Sequence, residues 1–320
     1  MGLFSRTIVG IDIGHASVKV VGVSVSRRPR VVGFADVPVD TKYLAKEGTV
    51  DPALVAQALQ QAMRTAFPRA IHAQEAYASV SEGIVFRKIL EVPISVTIDE
   101  MANVVRAEVV EYLPDDIANL EIDYQILGEL PGELQQVMVV AVDKKVVSNF
   151  LEIAKLAKLK LKALDPKPSA VGRAIVLPRD TSPVILVDIG AQMTSISIYA
   201  QHAVWVTGSV NMGSDTIRNP ETGELDPKKE VKLERLVDGI VDELTHVVKF
   251  YQNRASGEQE IKQIRLSGGG ALLEGVVVAI KNQVKQEVLL GSPILPLPQG
   301  ADSRFIGALG CALYTLYDLV

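Results

Sequence analysis

Two short runs hold the residues most capable of chemistry in this 320-residue chain: Val9-Gly10-Ile11-Asp12-Ile13-Gly14 near the start and Leu186-Val187-Asp188-Ile189-Gly190 in the second half. Each reads as a buried apolar strand ending in Asp-x-Gly, which leaves a carboxylate at the strand tip and lets the chain reverse at the glycine. The backbone N–H groups of such a turn can face phosphate oxygens. A magnesium ion keeps several of its waters, so Asp12 and Asp188 are expected to hold one through water. A single Asp-x-Gly is also an ordinary turn. Two copies, followed by Ser267-Gly268-Gly269-Gly270, point instead to a two-lobed clamp around a nucleotide.

Other reactive side chains add little. His15, His72, His202 and His246 lack metal-ligand spacing and cysteine companions. Cys311 lies among small and apolar residues, as expected of a buried structural thiol. Asp143 ends an apolar strand and is the one nearby carboxylate available to orient an attacking water, but it also suits the N-cap of the next helix. Hydrolysis is therefore expected to be slow or absent. With 33 basic and 38 acidic residues, no positive field favours nucleic acid, and 48% hydrophobic content excludes a disordered chain. The start shows neither a secretory signal nor a myristoylation pattern, and the run from Val276 to Leu290 is broken by Lys281 and Lys285. The expected location is cytoplasmic.

The elements that must position these residues follow from periodicity. Thr7–Ile13, Val18–Ser26 and Arg30–Val37 read as an antiparallel meander, and Val184–Val187, Thr194–Tyr199 and Ala203–Ser209 as a second, with Trp205 a strand residue of the latter. Asp51-Pro52 opens an amphipathic helix to about Phe67, and Ala76–Val80 reads as a strand. Ile84–Val92, a capped helix over Asp99–Tyr112, and Glu121–Leu127 form an insert, followed by a strand at Val137–Val142. A lysine-studded helix is expected over Lys145–Leu161, with Lys155, Lys158, Lys160 and Lys162 on a solvated face. Asp165-Pro166-Lys167-Pro168 is the expected hinge. Asn219–Lys229 reads as a polar loop, Glu230 to Asn253 as a long helix and Ile261–Leu266 as a strand. A closing helix over Ile306–Leu319 carries Gly307 and Gly310, which would allow close packing. The expected organisation is lobe I over 1–81, an insert over 82–136, lobe I again over 137–164, lobe II over 165–305 and the closing helix over 306–320.

In this order the motifs resemble the actin, Hsp70 and sugar-kinase superfamily. The resemblance implies an α/β, two-lobed actin-like (ribonuclease H-like) fold with an inserted 1C-type subdomain. It matches Asp12, Gly14, Ser17 and Lys19 to the first phosphate motif, with His15 where relatives carry a small residue. Asp188, Gly190 and Thr194 match the second, and Gly268, Gly269 and Gly270 match the loop that lets adenosine approach the backbone. The imidazole of His15 would contact a phosphate, narrow the site or face solvent as a turn residue. The stretch from Ser214 to Glu230 is short for the superfamily, implying a reduced 2B subdomain, with Lys232 as the candidate base or ribose contact.

Within the superfamily, Glu108–Pro114 with Asp116, Leu120, Asp123, Tyr124 and Gln125, together with Asp165–Ala174 and Phe250-Tyr251, is similar to the PilM family of type IV pilus assembly proteins. That resemblance implies an ATP- or ADP-binding scaffold with magnesium. It would receive the cytoplasmic N-terminal peptide of a PilN-like membrane protein and so reach the inner-membrane face. The pilus motor ATPase and a second copy of the chain are its further candidate partners. An FtsA-like division or filament protein and a small-molecule kinase share the fold and stay open as alternatives.

Overall fold

The computed structural model describes residues 6–39, 49–113, 117–218, 224, 226–254 and 260–317. Two five-stranded sheets share one plan. In the first, β1 (Thr7–Ile13), β2 (Ser17–Ser24) and β3 (Val31–Pro38) form the expected antiparallel meander. β4 (Glu75–Val80) and β8 (Lys160–Pro166) then add in parallel on the other side of β1, giving the order β3-β2-β1-β4-β8. The second sheet repeats this with β9 (Val184–Ile189), β10 (Thr194–Ala200), β11 (Ala203–Val210), β12 (Gln263–Ser267) and β13 (Glu287–Leu290), in the order β11-β10-β9-β12-β13. β1 and β9 are the central strands, covered on both faces, so their sequences are continuous apolar runs up to the terminal Asp-x-Gly.

The outer face of the first sheet is covered by α1 (Pro52–Thr65) and α3 (Lys144–Leu156), and that of the second by α5 (Lys229–Arg254) and α6 (Val276–Lys281). Between the sheets run α4 (Lys167–Ile175) and α7 (Ile306–Ala312). Their small residues join Ile8 and Val21 of one sheet with Leu186 and Tyr199 of the other in a common core. Contact is close because side chains are missing where backbones meet. A Cβ at Gly10 would run into the Ala308 carbonyl oxygen, and one at Gly310 into that of Ala170.

The insert forms a third, antiparallel sheet in the order β5-β7-β6, from β5 (Phe86–Pro93), β6 (Leu120–Leu130) and β7 (Leu134–Asp143), with α2 (Ile98–Tyr112) on one face. Its other face leans on the second lobe: Met138 belongs to the core beneath β10, β11 and α5, and Ile89 and Leu127 pack against it. Residues of the expected proline turn after Leu113 fall partly outside the described residues, as do Asn219–Gly223 in the region of the reduced subdomain.

Four sequence expectations need correction. The helix expected to Leu161 ends at Leu156, and Lys158 takes a left-handed φ of 60°. Lys160 and Lys162 then alternate with Leu161 and Ala163 on an edge strand, where exposed lysines discourage pairing with another chain. The insert helix is capped by Thr97, not Asp99, because Glu100 accepts hydrogen bonds from the Thr97 amide and hydroxyl, at 3.0 and 2.8 Å. The Asp165–Pro168 stretch is the junction between β8 and α4. Finally, α7 gives way to turns after Ala312. Gly310→Ala is expected to destabilise the fold by about 3 kcal/mol or to prevent folding, whereas Gly128→Ala, with open space at its Cβ, should stay within about 0.5 kcal/mol. Urea denaturation of the two variants checks the contrast.

Candidate functional site

The two Asp-x-Gly strands end side by side at one cavity of about 550 Å3. Both turns close in the same way: the Gly14 amide donates to the Ser17 carbonyl and the Gly190 amide to the Met193 carbonyl, each at 3.0 Å. Strand register repeats as well. Asp12 lies opposite Ser79 of β4, and Asp188 lies opposite Ser267 of β12. The Ser79 hydroxyl donates to Asp12 Oδ1 at 3.1 Å, and the Ser267 hydroxyl to Asp188 Oδ1 at 2.8 Å. On the other side, Asp12 faces Lys19 of β2 while Asp188 faces Ser195 of β10. The lobes thus present the same carboxylate and serine, but the first adds a cation where the second has a hydroxyl.

Each carboxylate has its second oxygen on one shared partner. Lys167 Nζ lies 3.3 Å from Asp12 Oδ2 and 2.8 Å from Asp188 Oδ2, and its side chain is 24% exposed to the cavity. Burial alone would lower the Lys167 pKa, but the two carboxylates outweigh it and hold the ammonium well above its ordinary range. Burial likewise opposes ionisation of Asp12, yet Lys167, Lys19 and the Ser79 hydrogen bond keep it below the usual carboxylate value. Lys167 is the first residue of α4, between Pro166 at the N-cap and Pro168, and its position is therefore set by the interlobe core. The sequence treated it as part of a hinge; a lysine flanked by prolines just after a strand was the available signal.

Around this centre, Lys19 Nζ donates to the Ser17 hydroxyl at 2.6 Å. His15 lines the cavity, which decides among its three readings against a residue turned wholly to solvent. Burial and the Lys167 charge hold its imidazole below the ordinary pKa, against an opposite pull from Asp215. Asp215 itself is raised by burial, against Arg218 and His15. Gly268 takes a φ of 83°, and a Cβ there would meet Asp188 Oδ1. Gly269 lines the cavity with only the Arg304 side chain nearby, and Arg304 reaches across to Asp36 of β3 at 3.6 Å. The buried hydroxyl oxygen of Ser195, also in the lining, has no hydrogen-bond partner and is suited to a ligand.

Four expected residues are held elsewhere. The Thr194 hydroxyl donates to the Met212 carbonyl at 2.8 Å, and Lys232 Nζ donates to Asp226 at 2.7 Å. Gly270 packs against Ile189, where a Cβ would not fit. Asp143 caps α3 by accepting from the Lys145 amide at 2.7 Å. A carboxylate that the sequence did not single out, Glu82, does line the cavity, but both its oxygens accept from Arg87 at 3.1 Å in a buried pair. Arg87, the second residue of β5, also points Nη1 at Met138 Sδ and the Val204 carbonyl of the second lobe.

Comparison with known proteins gives this arrangement a family. Residues 10–302 match the family model of the type IV pilus assembly protein PilM. The chain belongs to the PilM family. Its structure is similar to that of a PilM–PilN type IV pilus biogenesis complex, with a TM-score of 0.76 and 25% identity, over 96% of this chain and 97% of the other. The ethanolamine utilization protein EutJ from Carboxydothermus hydrogenoformans shares the fold at 17% identity and a TM-score of 0.56, over 98% and 92% of the two chains. So does the cytoplasmic domain of EpsL, an inner-membrane component of the type II secretion system of Vibrio cholerae, at 11% identity and a TM-score of 0.51, over 96% and 95%. The actin-like fold and membership of the PilM family, rather than of the division-protein or kinase relatives, are therefore established. Among the described residues, no helix is long and apolar enough to cross a membrane.

Replacing Lys167 with Met would leave the buried Asp12 and the partly buried Asp188 facing each other without a cation. The expected loss is about 2 kcal/mol near neutral pH, measured by urea denaturation. The sign of the pH dependence follows from Asp12. Its lowered native pKa stabilises the fold above the unfolded value of 3.8, and that contribution is lost as pH falls through the native value. The gap between wild type and variant should therefore narrow on acidification.

Proposed function

We propose that this chain is an ATP- or ADP-binding scaffold of the type IV pilus assembly platform, whose nucleotide state biases how it holds a membrane partner. The mirrored Asp-x-Gly turns around one cavity carry the reading. They bring Lys19, the unpartnered Ser195 hydroxyl and the open Gly269 to the walls of a space suited to a small ligand. Lys19 is a mobile point charge that suits a phosphate. The expected magnesium fits less well, since Lys167 already lies between Asp12 and Asp188.

The partner is a PilN-like cytoplasmic peptide, a reading supported by the similarity to the solved PilM–PilN complex. It would dock beside the insert and hold the chain at the inner-membrane face. Tyr112 at the end of α2 is 50% exposed there, with Lys88 Nζ 3.2 Å from its ring centre. The Glu82–Arg87 pair offers a physical connection, because Glu82 faces the cavity while Arg87 lies on β5 of the insert sheet and touches the second lobe. Any coupling equals the difference in nucleotide affinity between the two states of the peptide groove. Slow or absent hydrolysis fits Asp143 being committed to α3 and Glu82 to Arg87.

Titration with fluorescent ADP tests the cavity. Lys19→Ala and Gly269→Phe are each expected to weaken binding about tenfold, and no change in either variant would sink the reading. Anisotropy of a labelled PilN-like N-terminal peptide tests the insert. Tyr112→Ala should weaken peptide binding about fivefold and spare ADP, while Arg87→Met should remove any ADP-induced change in peptide affinity.

A further inference from the structure

We propose that Lys167 takes the place of the magnesium ion in this cavity, so that ADP or ATP binds here without a divalent cation. The proposal rests on the nucleotide reading above and concerns how the site balances charge.

A magnesium ion held through water would occupy the space between Asp12 and Asp188 and neutralise both. That space contains the Lys167 ammonium, within 3.3 Å of one carboxylate and 2.8 Å of the other. Magnesium demands near-octahedral coordination at about 2.0–2.1 Å and gives up its waters reluctantly, so a hydrated ion cannot be interposed while Nζ touches both oxygens. The two cations would also repel each other at that separation. Among the described residues, no cluster of three or more His, Cys, Asp or Glu side chains is placed to hold the ion by protein groups alone.

Nor is Lys167 free to step aside easily. Its backbone is fixed at the first turn of α4 by Pro166 and Pro168, and α4 is buried between the sheets. Its stem runs beside Gly307 of α7, where even a Cβ would come within 3.3 Å of Lys167 Cε and 3.1 Å of Asp12 Oδ2. The remaining oxygens of both carboxylates are engaged by Ser79 and Ser267, which keeps each Oδ2 aimed at the lysine. An ammonium has three donors. Two meet the aspartates, and the partly exposed head lines the cavity, where a polyphosphate oxygen would meet the third. One lysine carries half the charge of magnesium, so Lys19 and the turn amides supply the rest of the attraction.

The test is unlabelled ADP binding by isothermal titration calorimetry with the full chain, in excess EDTA and again in millimolar magnesium chloride. Wild-type affinity is expected to differ by less than about fivefold between the two conditions, and a larger dependence on magnesium overturns the proposal. Lys167→Met is expected to bind at least about tenfold more weakly than wild type in EDTA and to regain affinity when magnesium is added. Equal binding by variant and wild type in EDTA would also overturn it. If Lys167→Met does not fold, the wild-type comparison decides alone. Wild-type protein that binds ADP in neither condition refutes the nucleotide reading itself, an outcome distinct from magnesium-dependent binding.

Discussion

Two carboxylates brought together from separate lobes repel each other, and the repulsion grows as the cleft closes and water leaves. A fold that buries Asp12 and partly buries Asp188 at neighbouring strand tips is helped to close by a positive charge between them. Here the charge belongs to the protein. Lys167 joins the end of β1 to the end of β9, so its ion pairs hold the two Asp-x-Gly turns in fixed relation and draw the lobes onto α4. Geometry elsewhere in the cavity depends on that closure, since Lys19, His15 and Gly14 come from one lobe and Gly190, Asp215 and Gly269 from the other.

Packing explains why the lysine can be there. α4 and α7 lie between two sheets, and the sheets approach closely enough for one lysine side chain to reach both because Gly10, Gly172, Gly307 and Gly310 leave no Cβ at the tightest contacts. Small residues thus perform an electrostatic task indirectly: they let the elements that carry the charged groups come within reach of each other.

The insert bears on both lobes despite lying within the first in sequence. One face buries its apolar residues under α2, and the other places Met138, Ile89 and Leu127 on the second lobe's core. Arg87 is fixed at this junction by a bidentate pair with Glu82 and by contact with β11. A shift between the lobes would therefore change the surroundings of the insert.

Much of this was legible in the chain. Apolar runs ending in Asp-x-Gly defined β1 and β9, the meanders followed from β-branched alternation and turn residues, and the glycines of the last helix announced close packing. Local pattern failed where two periods looked alike: Lys-Leu-Lys-Ala continued a helix on paper but forms an edge strand, and a Pro-Lys-Pro break opened a buried helix. Nor could sequence choose between roles that depend on distant neighbours. Thr194 bonds a backbone carbonyl and Lys232 pairs with Asp226, both away from the cavity lining, whereas Asp143 takes the helix cap that its place in the sequence offered. By itself the sequence determined the two-lobed fold, the two carboxylate tips and the family. Only the tertiary structure decided that the cation between the tips is Lys167, since strand register and interlobe packing bring together residues more than 150 positions apart along the chain, a separation that no local pattern encodes.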